Sequence, residues 1–219
     1  LDSRKVALAS GKLDGLATAA DVFVTLNAAD VDMGVVWVLD RSNGSDGIVT
    51  TPDVATPADL AGKTVATEIG STEHLFLLRV LEMYDLSADD IKFINMTISD
   101  AGTAFVAGQV DAAVTYDPYL AEGIAAGGVA FTTAEYDIDL VDAIGFSADF
   151  IEANPDAIQG FVNAMAQTAE YMNKNFDECV PVMAEGLSLD EAYITDTFEK
   201  LERFDLEGNF EQMGTEEEP

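Results

Sequence analysis

Residues 59–128 read DLAGKTVATEIGSTEHLFLLRVLEMYDLSADDIKFINMTISDAGTAFVAGQVDAAVTYDPYLAEGIAAGG, and this stretch decides the fold. Three short β-branched runs, at 63–68, 92–96 and 111–116, alternate in it with helical patterns at 72–84, 100–107 and 118–126. Such alternation with short connections predicts parallel strands joined by right-handed crossovers, an α/β architecture. Polar residues follow each run: Gly70-Ser71-Thr72, Thr97-Ile98-Ser99 and Tyr116-Asp117-Pro118. In an open α/β sheet, ligands bind at those carboxyl ends.

Local signals punctuate the stretch and its flanks. Thr56 before Pro57 reads as a cap followed by the first position of a short helix, and Asp117 before Pro118 repeats the pattern. Ser71 or Thr72 is expected to cap 72–84, Ser99 to cap 100–107 and Asn154 to cap 155–173. Ser188-Leu189-Asp190-Glu191 reads as a capping box. Leu75 to Leu81 are apolar nearly all round, which predicts a helix buried on every side. Upstream, 4–10 reads as the end of a helix, 13–18 as a short strand, 20–28 as a helix and 33–39 as a buried parallel strand.

Two lobes follow from this order. Residues 1–50 with 143–219 form the first and 57–133 the second, with hinge crossings at about 48–57 and 134–143. Residues 1–50 should form an incomplete sheet, with the strands at 13–17 and 33–39 parallel and separated by at least one missing or reordered strand position. The acidic end, 215–219, carries no closing element.

Composition restricts the function. The 219 residues are 48% hydrophobic, enough for a substantial core, yet 41 acidic face 10 basic side chains for a net charge of −31. That charge disfavours nucleic acid and anionic membrane as partners, since phosphate binding needs clustered Lys and Arg. It points to a saline habitat, with an acidic extracellular protein as the alternative. No apolar run approaches the roughly 20 residues that span a bilayer, and no leader pattern opens the chain. One Cys and one His nearly rule out zinc chemistry of the usual ligand types.

Candidate binding residues cluster at strand ends. Ser71 and Thr72 open a helix directly after a strand, where free N–H groups and the helix dipole favour an anion; plain capping explains them equally. Asp46, Glu68 and Asp142 are strand-end carboxylates suited to an ammonium, amidinium or guanidinium group. Arg41, with Ser42 in the 40–46 loop, could hold a sulfonate or carboxylate, or anchor the loop. Tyr116 and Asp117 offer an aromatic wall and a polar tip. Thr18 and Thr97 sit at further strand ends. His74 lines the cleft or packs beneath the Gly70 loop. No Ser–His–Asp phrase, GxSxG, P-loop or GxGxxG motif is present. Trp37, Met165 and Met172 are read as core, and Cys179 as a small core hydrophobe.

The phrases Asp59-Leu60-x-Gly62-Lys63-x-Val65, Gly70-Ser71 and Ala107-Gly108-Gln109-Val110-Asp111-Ala112 resemble the solute-binding subunits of ABC importers for sulfonates, nitrate, taurine and thiamine-pyrimidine precursors. Ser10-Gly11-Lys12-Leu13-Asp14 and Ser42-Asn43-Gly44-Ser45-Asp46-Gly47 are similar to first-lobe phrases of that family, so the likeness covers roughly residues 4–175 in order.

The resemblance implies a type II periplasmic binding protein fold, two mostly parallel sheets and capture of a small nitrogen- or sulfur-containing solute by lobe closure. Residues of both lobes would then meet the solute, Thr18 and Asp46 from the first with Ser71, Thr72 and Tyr116 from the second, and Asp142 nearby. It further implies a monomer that works with permease subunits, in the periplasm or outside the cell, with or without a lipid anchor. No cofactor, metal or enzymatic activity is expected. The family would also place a strand–helix–strand unit ahead of Leu1. Two related uses of the fold remain as alternatives: effector domains of transcription regulators, and a pyrimidine-precursor synthase, whose His- and Cys-rich site this chain lacks.

Overall fold

The computed structural model describes residues 2–136 and 138–214. Asp137, within the expected return crossing, and the acidic end 215–219 lie outside the described residues. The chain divides into two units, residues 1–41 with 141–219 and residues 42–140. The first crossing therefore falls at Arg41/Ser42 rather than at 48–57.

Unit 1 opens with α1 (Asp2–Ala9), β1 (Gly15–Ala19), α2 (Ala20–Asn27) and β2 (Met33–Ser42, whose last residue begins unit 2). Unit 2 runs through β3 (Asp46–Thr50), β4 (Thr64–Thr67), α3 (Thr72–Met83), β5 (Lys92–Asn95), α4 (Ile98–Val106), β6 (Ala112–Tyr116), α5 (Tyr119–Ala125) and β7 (Val129–Thr132). The chain then completes unit 1 with β8 (Val141–Ser147), α6 (Ala148–Ala153), α7 (Pro155–Lys174), α8 (Phe176–Leu187), α9 (Glu191–Glu199), β9 (Leu201–Arg203) and α10 (Leu206–Met213).

The alternation over 59–128 folds as read. In the five-stranded sheet of unit 2, ordered β5-β4-β6-β3-β7, β4 is parallel to both β5 and β6. β3 runs antiparallel between β6 and β7, which places Asp46 opposite Tyr116. The strand that carries Asp46 thus belongs to the second unit, not the first.

Side chains alternate between the two faces of this sheet. Ile48, Val65 and Val114 pack with Phe76, Leu77, Val80 and Leu81 of α3, while Val49, Ala66 and Ala113 pack with Ala101 and Phe105 of α4. The four α3 side chains are fully buried, each contributing roughly 1.5–3 kcal/mol. α3 is not buried all round, however: Leu75 is 42% and Met83 57% exposed. Composition alone marks the helix as apolar but not which side meets the sheet.

Unit 1 holds a four-stranded sheet in the order β1-β8-β2-β9. β1 and β2 point the same way and are separated by one strand, as the sequence suggests. The separator is β8, which inserts antiparallel to both and pairs Gly145 with Leu16 on one side and Val35 on the other. Trp37 is 1% exposed and belongs to the core. Met165 and Met172 of α7 are less tightly held, lining with Trp37, Phe198 and Phe204 a cavity of about 190 Å³ within this unit.

Caps follow the predicted chemistry at shifted positions. The Thr56–Asp59 capping box precedes a short 3-10 turn over Pro57–Leu60. Ser71 caps α3. Thr97, not Ser99, accepts from the Asp100 N–H to cap α4, and Asp190, not Ser188, caps α9. Ser188 instead closes α8 in a left-handed conformation. Asn154 precedes Pro155 but turns its amide back to the Phe150 carbonyl, so α7 starts without a side-chain cap. Among the described residues, no helix is long and apolar enough to cross a membrane.

Candidate functional site

The carboxyl ends of β4 and β6 and the amino end of β3 lie on one edge of the unit 2 sheet, because β3 runs against its neighbour. There Asp46 faces Tyr116 across the β3–β6 ladder. A hydroxyl network holds the Asp46 turn. Ser42 Oγ lies 2.7 Å from Thr133 Oγ1 and 2.9 Å from Ser45 Oγ, the Ser45 hydroxyl donates to Asp46 Oδ2 at 3.0 Å, and the Asp46 N–H donates to Ser42 Oγ. Ser42, predicted to meet ligand, is thus a buried support. Ser45 and Thr133 belong to the same network. Burial pushes the Asp46 carboxyl above the usual carboxylate range, the Ser42 and Ser45 hydroxyls pull it down, and the charge of Asp117 adds to the rise.

Beyond β4, Gly70 adopts a φ of 77°, a left-handed turn that brings the chain from strand to helix within a few residues. Asn95 Oδ1 accepts from the Ile69 N–H at 2.8 Å beside Glu68. Ser71 Oγ accepts from the His74 N–H, and His74 Nδ1 accepts from the Gly70 N–H at 3.3 Å. His74 also meets Phe93 edge-on at 5.2 Å, and burial lowers its pKa. It braces the Gly70 loop, the packing role read from the sequence. Thr72 is half-buried at the first position of α3. Glu73, which the sequence reading passed over, is 7% exposed in that first turn.

Tyr116 gathers these groups. Its hydroxyl pKa is raised by burial first, then by the charge of Glu73, by Tyr119, and by the charges of Asp46 and Glu68. The Tyr116 and Tyr119 rings meet edge-on at 5.9 Å. Asp117 Oδ1 accepts from the Ala121 N–H in the first turn of α5. Thr97 is engaged as the α4 cap.

The other predicted residues lie in unit 1. Thr18 of β1 pairs with Ala143, and Asp142 of β8 sits between Ala19 and Asp40. Arg41 lies in β2 rather than in a loop. It forms an ion pair with Glu202 at 3.3 Å, donates to Gln212 at 3.1 Å and stacks over Phe204 at 5.7 Å, which fits the anchoring role.

The sequence profile described as NMT1/THI5 like matches residues 5–179. The chain belongs to the NMT1/THI5-like family. Within it, the chain is 28% identical over 186 residues to a relative named as an aliphatic sulfonates-binding protein from Escherichia coli K12, covering 84% of this chain and 58% of that one. The taurine-binding periplasmic protein of the same organism is 22% identical over 162 residues, 72% of this chain and 50% of its own. The chain thus spans between half and three-fifths of the length of these relatives. The crystal structure of the periplasmic aliphatic sulphonate binding protein SsuA from Escherichia coli superposes with a TM-score of 0.75 at 23% identity, covering 94% of this chain and 74% of that one. That match shows the fold, a two-lobed α/β architecture of the type II periplasmic binding protein kind.

In this NMT1/THI5-like chain the basic residues of unit 2 lie away from Tyr116, whereas its acidic residues are spread more widely and include Asp53, Asp59 and Asp111 around Lys63. Its basic residues are Lys63, Arg79 and Lys92. Lys63 and Lys92 stand at the amino ends of β4 and β5, away from Tyr116, and Lys63 pairs with Asp53. Arg79 pairs with Glu82 on the exposed face of α3. Asp46, Glu68, Glu73 and Asp117 all lie at the Tyr116 edge. Among the described residues, no group of three or more His, Cys, Asp or Glu side chains is arranged to hold a metal ion.

Proposed function

We propose that this protein is the extracytoplasmic solute-binding component of an ABC importer, capturing a small nitrogen- or sulfur-containing organic solute of the sulfonate, taurine, pyrimidine, urea or guanidine type. The observation that carries the reading is the polar edge of the unit 2 sheet, where Asp46, Ser71 and Tyr116 come together at strand ends. Binding proteins named for sulfonates and taurine among the relatives support it. The proposed role is binding, in keeping with relatives named as binding proteins. Permease subunits are the proposed partners, and the periplasm or cell exterior the proposed location of a monomer.

A thermal-shift screen of the full chain against small sulfonates, amino-sulfonates, ureas, guanidines and aminopyrimidines tests this. A true ligand raises apparent stability by RT ln(1 + [L]/Kd), about 2.7 kcal/mol at a hundredfold excess over Kd. Absence of a saturable shift across all these classes would overturn the reading.

A further inference from the structure

Resting on that binding role, we infer that the solute presents a protonated nitrogen group, an ammonium, amidinium or guanidinium, to Asp46 and Tyr116 at the edge of unit 2. The placement of the basic residues argues for it, together with the carboxylates that remain at this edge. Four carboxylates from four segments reach this edge, and each basic residue of the unit is placed at the opposite edge or on an outer helix face. An anionic group arriving here would meet Asp46 and Glu68, neither of which forms an ion pair with a basic side chain among the described residues. The amino end of α3 offers little compensation, because Ser71 and His74 already take part in its turn and Glu73 places a carboxylate within it.

A second observation is independent of the acids. Thr67, the last residue of β4, is fully buried, and its hydroxyl has no hydrogen-bond partner among the described residues. Strand alternation puts it on the face that Val65 shares with α3. By the same count Tyr116 follows Val114 and Asp46 precedes Ile48 on that face, and Glu73 lies one turn ahead of Phe76 and Leu77. The unmet hydroxyl therefore faces the side of the sheet that carries Asp46, Tyr116 and Glu73, while Glu68 and Asp117 fall on the other side by the same count. Buried hydroxyls are rarely left unsatisfied, and a donor-rich ligand group would supply the missing bond.

The fit also has an energetic basis. A partly buried carboxylate such as Asp46 gains from a positive partner, because water screens the pair less than at an open surface. Neither Asp46 nor Glu68 has a basic side chain at ion-pair distance among the described residues.

Matched probes separate the possibilities. Calorimetric titration of the full chain would compare ethanesulfonate, 2-aminoethanesulfonate, ethanolamine, guanidinium and neutral urea, repeated on Asp46→Asn and Glu73→Gln. The expected result is binding confined to nitrogen cations, with Asp46→Asn weakening it about thirtyfold or more. Glu73→Gln should weaken the same probes to a smaller extent. Circular dichroism and melting of both variants distinguish loss of binding from loss of fold. Equal binding of ethanesulfonate and its amino derivative, or of urea alone, with Asp46→Asn neutral, would overturn the cation inference and leave the importer reading standing. No binding of any probe at millimolar concentration would count against both.

Discussion

Asn209 of α10 and Val38 of β2 exchange two hydrogen bonds: the Val38 N–H donates to Asn209 Oδ1 at 2.6 Å, and Asn209 Nδ2 donates to the Val38 carbonyl at 3.0 Å. The side chain imitates a neighbouring strand, at a point where β2 would otherwise carry unpaired backbone groups in a buried setting, since Asn209 is 1% exposed. Asn209→Ala leaves both Val38 groups unsatisfied and is expected to cost about 2–4 kcal/mol. Urea unfolding should show a lower midpoint at unchanged slope. A loss below about 0.5 kcal/mol would mean that water replaces the amide without penalty.

Two helical glycines should respond to alanine with opposite signs. A Cβ on Gly102 of α4 would lie 2.5 Å from Tyr119 Cβ, where α4 and α5 approach each other. Gly102→Ala must push these helices apart and is expected to destabilise by about 1–3 kcal/mol. Gly160 of α7 has nothing within 4 Å of the same position. Gly160→Ala adds helix propensity without a clash and should stabilise by about 0.5–1 kcal/mol. Because Gly102 adjoins the Tyr116–Tyr119 edge, Gly102→Ala should also alter solute affinity, and Gly160→Ala should not. Equal responses at the two positions would contradict the packing described.

The fold was largely legible because its signals are local. β-branched runs, glycine stops and capping residues in 59–128 placed β4, α3, β5, α4, β6 and α5 to within a few residues. Strand order is not local. The antiparallel insertion of β8 between β1 and β2 is decided by pairing between residues a hundred or more positions apart, and the place of β3 by its pairing with β6 and β7. The site divided in the same way. Ser71 and Tyr116 sit at strand ends as read, whereas Asp46, read into the first lobe, stands at the start of β3 in unit 2. Ser45, Thr133 and Asn209 do not follow from local position, since Ser42 meets Thr133 across 91 residues and Asn209 meets Val38 across 171. A periodic reading of 72–84 would have found Glu73, one turn ahead of Phe76 and Leu77 on the buried stripe.

Salt should stabilise this protein strongly. At −31 net charge the folded chain repels itself more than the expanded one. Screening shortens the reach of that repulsion from about 10 Å at 0.1 M to about 3 Å at 1 M. The exposed ion pairs Arg79–Glu82 and Lys174–Glu170 oppose the trend only weakly, since such pairs contribute about 0–1 kcal/mol each. The melting temperature is expected to climb between 0.05 and about 1 M sodium chloride, beyond the Debye range where surface charges act. A flat or falling curve would remove the main support for a saline habitat.

Asp46 should trade stability for binding, and pH reveals it. Its folded pKa is raised above the ordinary 3.8 by burial, so below that value it is protonated in folded and unfolded chains alike and costs nothing. As pH rises through the folded pKa, the folded protein holds the proton more tightly than the unfolded one, and stability is lost. Asp53, lowered to about 2 by Lys63 and Thr51, and Asp111, lowered by Thr64, run the other way: their contribution is present above the ordinary carboxylate range and disappears in acid. Both remain in Asp46→Asn, so they cancel when variant and parent are compared. Asparagine can still accept the Ser45 hydroxyl in place of the carboxylate oxygen. Asp46→Asn is therefore expected to be more stable than the parent at pH 7, with the difference vanishing near pH 3, while solute binding weakens. Urea unfolding of both proteins in 1 M salt, which suppresses the general effect of removing one negative charge, is the measurement. A stability difference of equal size at both pH values would show that Asp46 is not held in an enclosed site, and the reason for placing a cation against it would go with that.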